Sequence, residues 1–168
     1  MIRRTVITLV ALLLATLSGW AQEAKPHSGT LLVAVDPGKP VTVKPADLAS
    51  MPRTSVKMES DGREVTYEGV LVAELLKRAS APLGRELRGE NVASYVVASA
   101  TDGYRAVFSL AELDPAFTGS QIMVADKVDG KSLFAYQGPF RIVAPKDLAG
   151  ARSIRMLERI EVVRLPKQ

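Results

Sequence analysis

Residues Gly138 to Val163, GPFRIVAPKDLAGARSIRMLERIEVV, set two apolar, strand-like runs around a loop dense in fixed positive charge. Arg141, Lys146, Arg152, Arg155 and Arg159 all fall within this stretch. Two guanidinium groups that converge can hold a phosphate through planar, charge-assisted hydrogen bonds. The same side chains can instead be the wet face of half-buried strands, where arginine is ordinary. Ile154, Met156, Ile160 and Val162 share one parity, while Arg155, Arg159 and Glu161 share the other. That alternation predicts a strand with one solvated face. Phe140 to Val143 reads as a second strand, closed by Pro145.

Upstream, the chain is punctuated by turn chemistry. Leu31 to Val35 reads as a buried strand ended by Asp36-Pro37-Gly38, and Val41 to Val43 as a short second one. Pro45 is placed to open a single helical turn that Met51-Pro52 stops. Thr54, Val56 and Met58 alternate with polar residues up to Asp61-Gly62, after which Glu64 to Tyr67 runs back, a hairpin signal. From Gly69 to Ala79 the period changes, with Leu71, Leu75 and Ala79 on one side, which predicts an amphipathic helix. Residues 80 to 91 read as a polar loop and Val92 to Ala100 as a strand that turns at Asp102-Gly103 into Tyr104 to Phe108. Ser109 followed three positions on by Glu112 has capping-box spacing for a short helix stopped by Pro115. Gln121 to Val128 is a further strand, turning at Asp129-Gly130. Many short strands with a few short helices, not in strict alternation, give an α+β class with mixed β-sheets.

The start of the chain reads as an address rather than as fold. Arg3 and Arg4, the apolar run Val6 to Leu17 and the small-residue site Gly19-Trp20-Ala21 predict a signal peptide over residues 1–21. The apolar run is shorter than the roughly twenty residues a membrane span needs. Cleavage leaves a polar, disordered lead-in at 22–29 and one domain over 30–165, periplasmic or secreted, with no membrane span. It also removes two arginines and no acid, so 20 basic residues face 18 acidic ones. A uniformly basic nucleic-acid surface is not indicated, and any positive patch is local.

The 168-residue chain has no cysteine and one histidine, His27. Disulfides, thiolate-held metals, iron–sulfur clusters and thiol nucleophiles are thereby excluded, as is a histidine-based metal cage. Asp36, Asp61, Asp102 and Asp129 sit in glycine-rich turns and are explained by turn formation. Tyr104, beside Asp102 at a turn-to-strand junction, either donates its phenol to an anion or packs as a strand aromatic. No nucleophile–histidine–acid set, metalloprotease motif, phosphate-binding loop or dinucleotide fingerprint occurs.

Four separated segments carry a resemblance. Gly138 to Pro145, Gly150 to Leu157 with Arg159 to Val162, Tyr67 to Leu71 leading into Leu75-Leu76, and Asp102-Gly103-Tyr104 leading into Ser109-Leu110 resemble the sulfite-oxidase-type molybdopterin-binding oxidoreductase domain. The similarity runs over about residues 40 to 163. It implies pterin or phosphate contacts at Arg141, Ser153, Ile154 and Arg155, and an active-site role for Tyr104; Arg152 joins the candidate binding residues as part of an anion-accepting surface with Arg141 and Arg155. Two or three charge-assisted contacts of about 1.5–3 kcal/mol each suffice for micromolar anion binding. The departures are as informative. The family's catalytic members hold molybdenum through a cysteine, which is missing here, and Gln137 stands near the place of a family histidine. The expectation is a domain with no metal site and no resident cofactor, acting as a non-catalytic module for a small anion, a pterin or a periplasmic partner protein. The alternative is a molybdopterin-dependent periplasmic oxidoreductase.

Overall fold

β1 (Leu31–Val35) and β10 (Leu157–Val163) lie side by side in parallel, Val33 opposite Ile160. The first and last strands of the described chain therefore share the middle of one sheet. The computed structural model describes residues 29–60 and 62–165. The expected signal peptide, most of the lead-in and Asp61 lie outside the described residues. β2 (Val41–Val43) pairs antiparallel on the far side of β1, and β5 (Tyr95–Ala100) and β6 (Arg105–Ser109) extend the other side, giving the order β2-β1-β10-β5-β6.

The second sheet is built on the hairpin of β3 (Thr54–Ser60) and β4 (Arg63–Leu71). It continues through β7 (Met123–Val128) to β8 (Lys131–Ser132), while β9 (Arg141–Val143) pairs with the other half of β7. Asp129 and Gly130 both take positive φ, 48° and 75°, as the tight β7–β8 turn requires. Among the described residues three short helices, α1 (Pro45–Ala49), α2 (Val72–Arg78) and α3 (Leu110–Leu113), complete the α+β architecture. Among the described residues no helix is long and apolar enough to cross a membrane.

The strand period places two cores. Leu31, Val33, Ile160 and Val162 join Leu75 and Leu76 of α2, Val124 and Ile142 in the larger one. Each fully buried Leu or Ile there contributes about 1.5–3 kcal/mol of transfer free energy. The neighbouring residues on β7 and β9, Met123, Ala125 and Val143, point to the opposite face of the second sheet. There they form a smaller cluster with Tyr67 and Val65. Arg141 shares the parity of Val143 and is also buried, so an arginine is built into that second cluster.

Three elements depart from the pattern read in the sequence. The helix expected from Gly69 begins only at Val72, because Gly69, Val70 and Leu71 stay in β4 opposite Ala125, Val124 and Met123. Sheet pairing outweighs a helical period over those residues. A Cβ on Gly69 would meet the Val124 carbonyl oxygen and come within 2.6 Å of the Ala125 Cα, so only glycine allows this approach. The strand expected from Val92 starts at Tyr95, after a 3₁₀ turn over Gly89–Ala93. Finally, β10 starts at Leu157. Met156 takes φ 52° and the β10–β5 register shifts between Leu157 and Arg159, so Leu157 is buried against the parity of Ile160 and Val162. The two strands of the opening stretch thus belong to different sheets. Ile142 N–H donates to Ile154 O at 2.8 Å and Leu157 N–H to Phe140 O at 2.8 Å, tying the sheets together.

Candidate functional site

Arg141 is carried by β9 into the space over Tyr67. Its Nη1 donates to the Tyr67 hydroxyl at 2.7 Å and to Gln137 Oε1 at 3.2 Å, and Nη2 lies 3.5 Å from Ser153 O. The guanidinium carbon stands 4.6 Å from the Tyr67 ring centroid. A guanidinium that is 4% exposed must be hydrogen-bonded to be tolerated, and β4, the 137–138 turn and the 150–156 loop each supply an acceptor. Tyr67 occupies an inward position of β4 and is 1% exposed, which its place in the strand alternation signals.

Arg152 sits at the end of the 3₁₀ turn Gly150–Arg152 and is held by carboxylates. Nε and Nη2 form a fork to Asp147 at 2.8 and 2.7 Å, and Nη1 donates to Glu112 at 2.7 Å. Its guanidinium carbon stands 4.8 Å from the Phe108 ring centroid. Hydrogen bonding to Asp147, then to Glu112, pushes the Arg152 pKa above its already high ordinary value. Glu112 therefore performs only half of the expected capping box. Ser109 Oγ accepts from Glu112 N–H at 3.1 Å, but the Glu112 carboxylate turns to Arg152.

Ser153 and Ile154 are buried. Ser153 Oγ accepts from Ala144 N–H at 3.1 Å, which leaves its hydroxyl serving the backbone. Lys146 donates to Gly119 O at 2.8 Å, and Arg159 Nε to Glu161 Oε2 at 3.0 Å. Arg155 differs from all of these. It is exposed, and its contact is the Tyr136 ring, 5.5 Å from the guanidinium carbon. Among the described residues it has no carboxylate partner.

Arg155 lines a surface groove of about 490 Å³ together with Asp102, Tyr104, Tyr136, Gly150, Ala151, Ser153, Ile154 and Met156. The structure thus brings Tyr104, Ser153, Ile154 and Arg155 to one groove and points Arg141 and Arg152 elsewhere. The Tyr104 hydroxyl donates to Ala151 O at 2.7 Å and its N–H to Asp102 Oδ1 at 2.9 Å, so the phenol pins the β5–β6 turn to the 3₁₀ turn at 150–152. Tyr136 is held in turn. Its oxygen accepts from Gln137 Nε2 at 3.1 Å, and its ring stacks on Phe134 with centroids 5.7 Å apart and planes 12° apart. Gln137 thereby joins the buried Arg141 cluster to the groove wall. Tyr136 and Phe134 lie just ahead of the stretch that draws the eye in the sequence, and two aromatics flanking one residue are the signal that could have marked them.

This fold and this stretch define a class. A family model for the oxidoreductase molybdopterin binding domain matches residues 59–168, well over half of the chain. The chain belongs to that family, the sulfite-oxidase-type molybdopterin-binding domain. Among solved structures, the sulfane dehydrogenase SoxCD from Paracoccus pantotrophus is similar over 81% of this chain and 38% of that one, with a TM-score of 0.61 and 17% identity. The likeness is one of fold, and the chain spans well under half of that relative's length. A comparison with curated proteins finds no match.

The donor chemistry tests whether the family's metal would fit. The chain has no cysteine, and among the described residues no three His, Asp or Glu side chains gather into a donor set. Molybdenum held by a protein thiolate does not fit these residues. The position near the family histidine is filled by Gln137, which is already bound to Arg141 and Tyr136.

Proposed function

We propose that the chain is an exported, non-catalytic member of its family that works as a binding or accessory module, taking an anion at Arg155. The observation that carries this reading is the fate of the five cations in the 138–163 stretch. Arg141, Lys146, Arg152 and Arg159 are each engaged by oxygen atoms of the chain itself, and Arg155 faces the groove over an aromatic ring. A single charge-assisted contact of about 1.5–3 kcal/mol falls short of the roughly 4 kcal/mol of a millimolar complex. The anion is therefore part of a larger ligand, whose remaining contacts fall on Tyr104 and Tyr136. Export rests on the signal-peptide pattern of residues 1–21, and N-terminal sequencing of periplasmic protein should return Gln22 as the first residue.

The family match supports a second reading, a molybdopterin-dependent oxidoreductase that dispenses with a protein thiolate. Elemental analysis of protein purified from molybdenum-replete cells separates the two. The non-catalytic reading expects molybdenum well below stoichiometry, and a full equivalent of molybdenum per chain would sink it.

A further inference from the structure

Two aromatics that remain about half in water wall the groove, Tyr104 at 50% and Tyr136 at 54% exposed, and Phe134, stacked on Tyr136 beside it, is 53% exposed. Tyr136 in particular is fixed before anything binds, its oxygen by Gln137, one neighbour of its ring by Phe134 and another by Arg155. A rigid, exposed aromatic loses little conformational entropy on contact, and tyrosine beside arginine is the composition of protein-interface hot spots. A small-molecule site buries most of its ligand's surface. Walls this exposed leave the trough without a roof, so an isolated small anion would stay largely solvated there. A protein segment brings the missing wall with it.

We propose that the groove is a docking surface for an acidic segment of a partner protein, with an Asp or Glu side chain on Arg155 and an adjacent apolar or aromatic side chain against Tyr136 and Phe134. This rests on the reading of Arg155 as the anion contact and names the anion as a protein carboxylate. Charge complementarity selects this occupant: Arg155 has no carboxylate partner among the described residues, whereas Arg152, three residues earlier in the same loop, is doubly paired by Asp147 and Glu112. Asp102 on the groove's rim disfavours a second acid, so the preferred segment carries one carboxylate next to apolar residues and not an acidic run.

The test is selection of displayed random peptides on the full chain, followed by calorimetric titration of a winning synthetic peptide and of its version with Asn or Gln in place of the acid. The expected result is enrichment of a single Asp or Glu beside an aliphatic or aromatic residue. Affinity should fall about ten-fold or more with Arg155→Ala, with Tyr136→Ala and with the amide peptide, and should be unchanged by Arg85→Ala, an exposed arginine in the 3₁₀ turn Gly84–Glu86 outside the groove. Both groove residues are exposed, so the variants should melt with the parent, which confirms that they fold. Peptides that bind Arg155→Ala as well as the parent overturn the proposal. Self-association of the chain that Tyr136→Ala abolishes also overturns it, by assigning the groove to a second copy. A parallel titration with inorganic phosphate and free glutamate, read at the Arg155 side chain by nuclear magnetic resonance, keeps the two readings apart. If these anions bind and no peptide is enriched, anion binding stands and the protein partner falls. If neither binds, both fall.

Discussion

Replacing Tyr67 by Phe removes one oxygen atom and leaves the ring under Arg141 in place. That oxygen accepts from Arg141 Nη1 at 2.7 Å, with Tyr67 1% and Arg141 4% exposed. Loss of a buried hydrogen bond to a charged donor costs about 1.5–3 kcal/mol. The Nη1 contact to Gln137 at 3.2 Å survives, and Phe is cheaper to bury than Tyr, so we expect a net cost of about 1–2 kcal/mol. At roughly 2–4 °C per kcal/mol for a chain near this size, the melting temperature drops by about 2–8 °C. The only tryptophan, Trp20, lies in the predicted signal peptide, so unfolding is best followed by far-ultraviolet circular dichroism. Arg141→Met should cost more, since it strands the acceptors at Tyr67, Gln137 and Ser153 together. The double variant should then cost about 1–2 kcal/mol less than the two singles added, because each single change has already removed the shared bond. A Tyr67→Phe protein that melts with the parent and a strictly additive cycle would refute the assignment of Arg141 as a strut between sheet and loop.

Gly69→Ala should destabilise by about 3 kcal/mol or more, beyond ordinary overpacking, because the new methyl group meets the backbone of Val124 and Ala125 instead of a side chain that can move. Urea denaturation checks it. Arg152→Ala should cost only about 1 kcal/mol, since the guanidinium is about one-third exposed. Arg152→Lys should recover less than half of that for want of a two-pronged bond to Asp147, and faster amide exchange across Gly150–Ser153 should accompany both. The hydrogen bond from Arg159 holds the Glu161 carboxyl below its ordinary pKa. A depressed carboxylate contributes stability that is present above its unfolded pKa and lost as pH falls through the folded one. The gap between parent and Glu161→Gln should therefore be a few tenths of a kcal/mol at pH 7, given the exposure of the pair, and close as the pH falls below the ordinary glutamate range.

Much of the sheet layout was legible because strand alternation and turn chemistry are local. The alternation of Thr54, Val56 and Met58 and the turn residues after it mark the β3–β4 hairpin, Asp129-Gly130 marks the β7–β8 turn, and Ser109 reads as a cap from four residues of sequence. What the local pattern could not carry was the destination of long polar side chains. Glu112 looked like a capping carboxylate because its partner, Arg152, lies 40 residues away. Arg141 and Arg155 both read as cations on strands with a wet face, yet β9 turns one into the second cluster while the residue before a left-handed Met156 faces water. The Gly69 boundary was missed for the same reason. A helical period of apolar residues is also what a strand buried on both faces presents, and the pairing with β7 decided it.

The parallel contact of β1 with β10 sets a timetable for folding. Val163 is synthesised 128 residues after Val35, which at ~5–20 residues per second is a delay of roughly 6–25 s. During that interval β1 has β2 but lacks the strand that should lie on its other side, and β5 lacks the same neighbour. The first sheet cannot close until its middle arrives, so the chain carries an unpaired, apolar edge for the whole of its synthesis. Such an edge is a natural target for a holding chaperone, and a ribosome stalled before residue 157 would leave a chain that holds every residue of the smaller cluster but cannot complete the larger core.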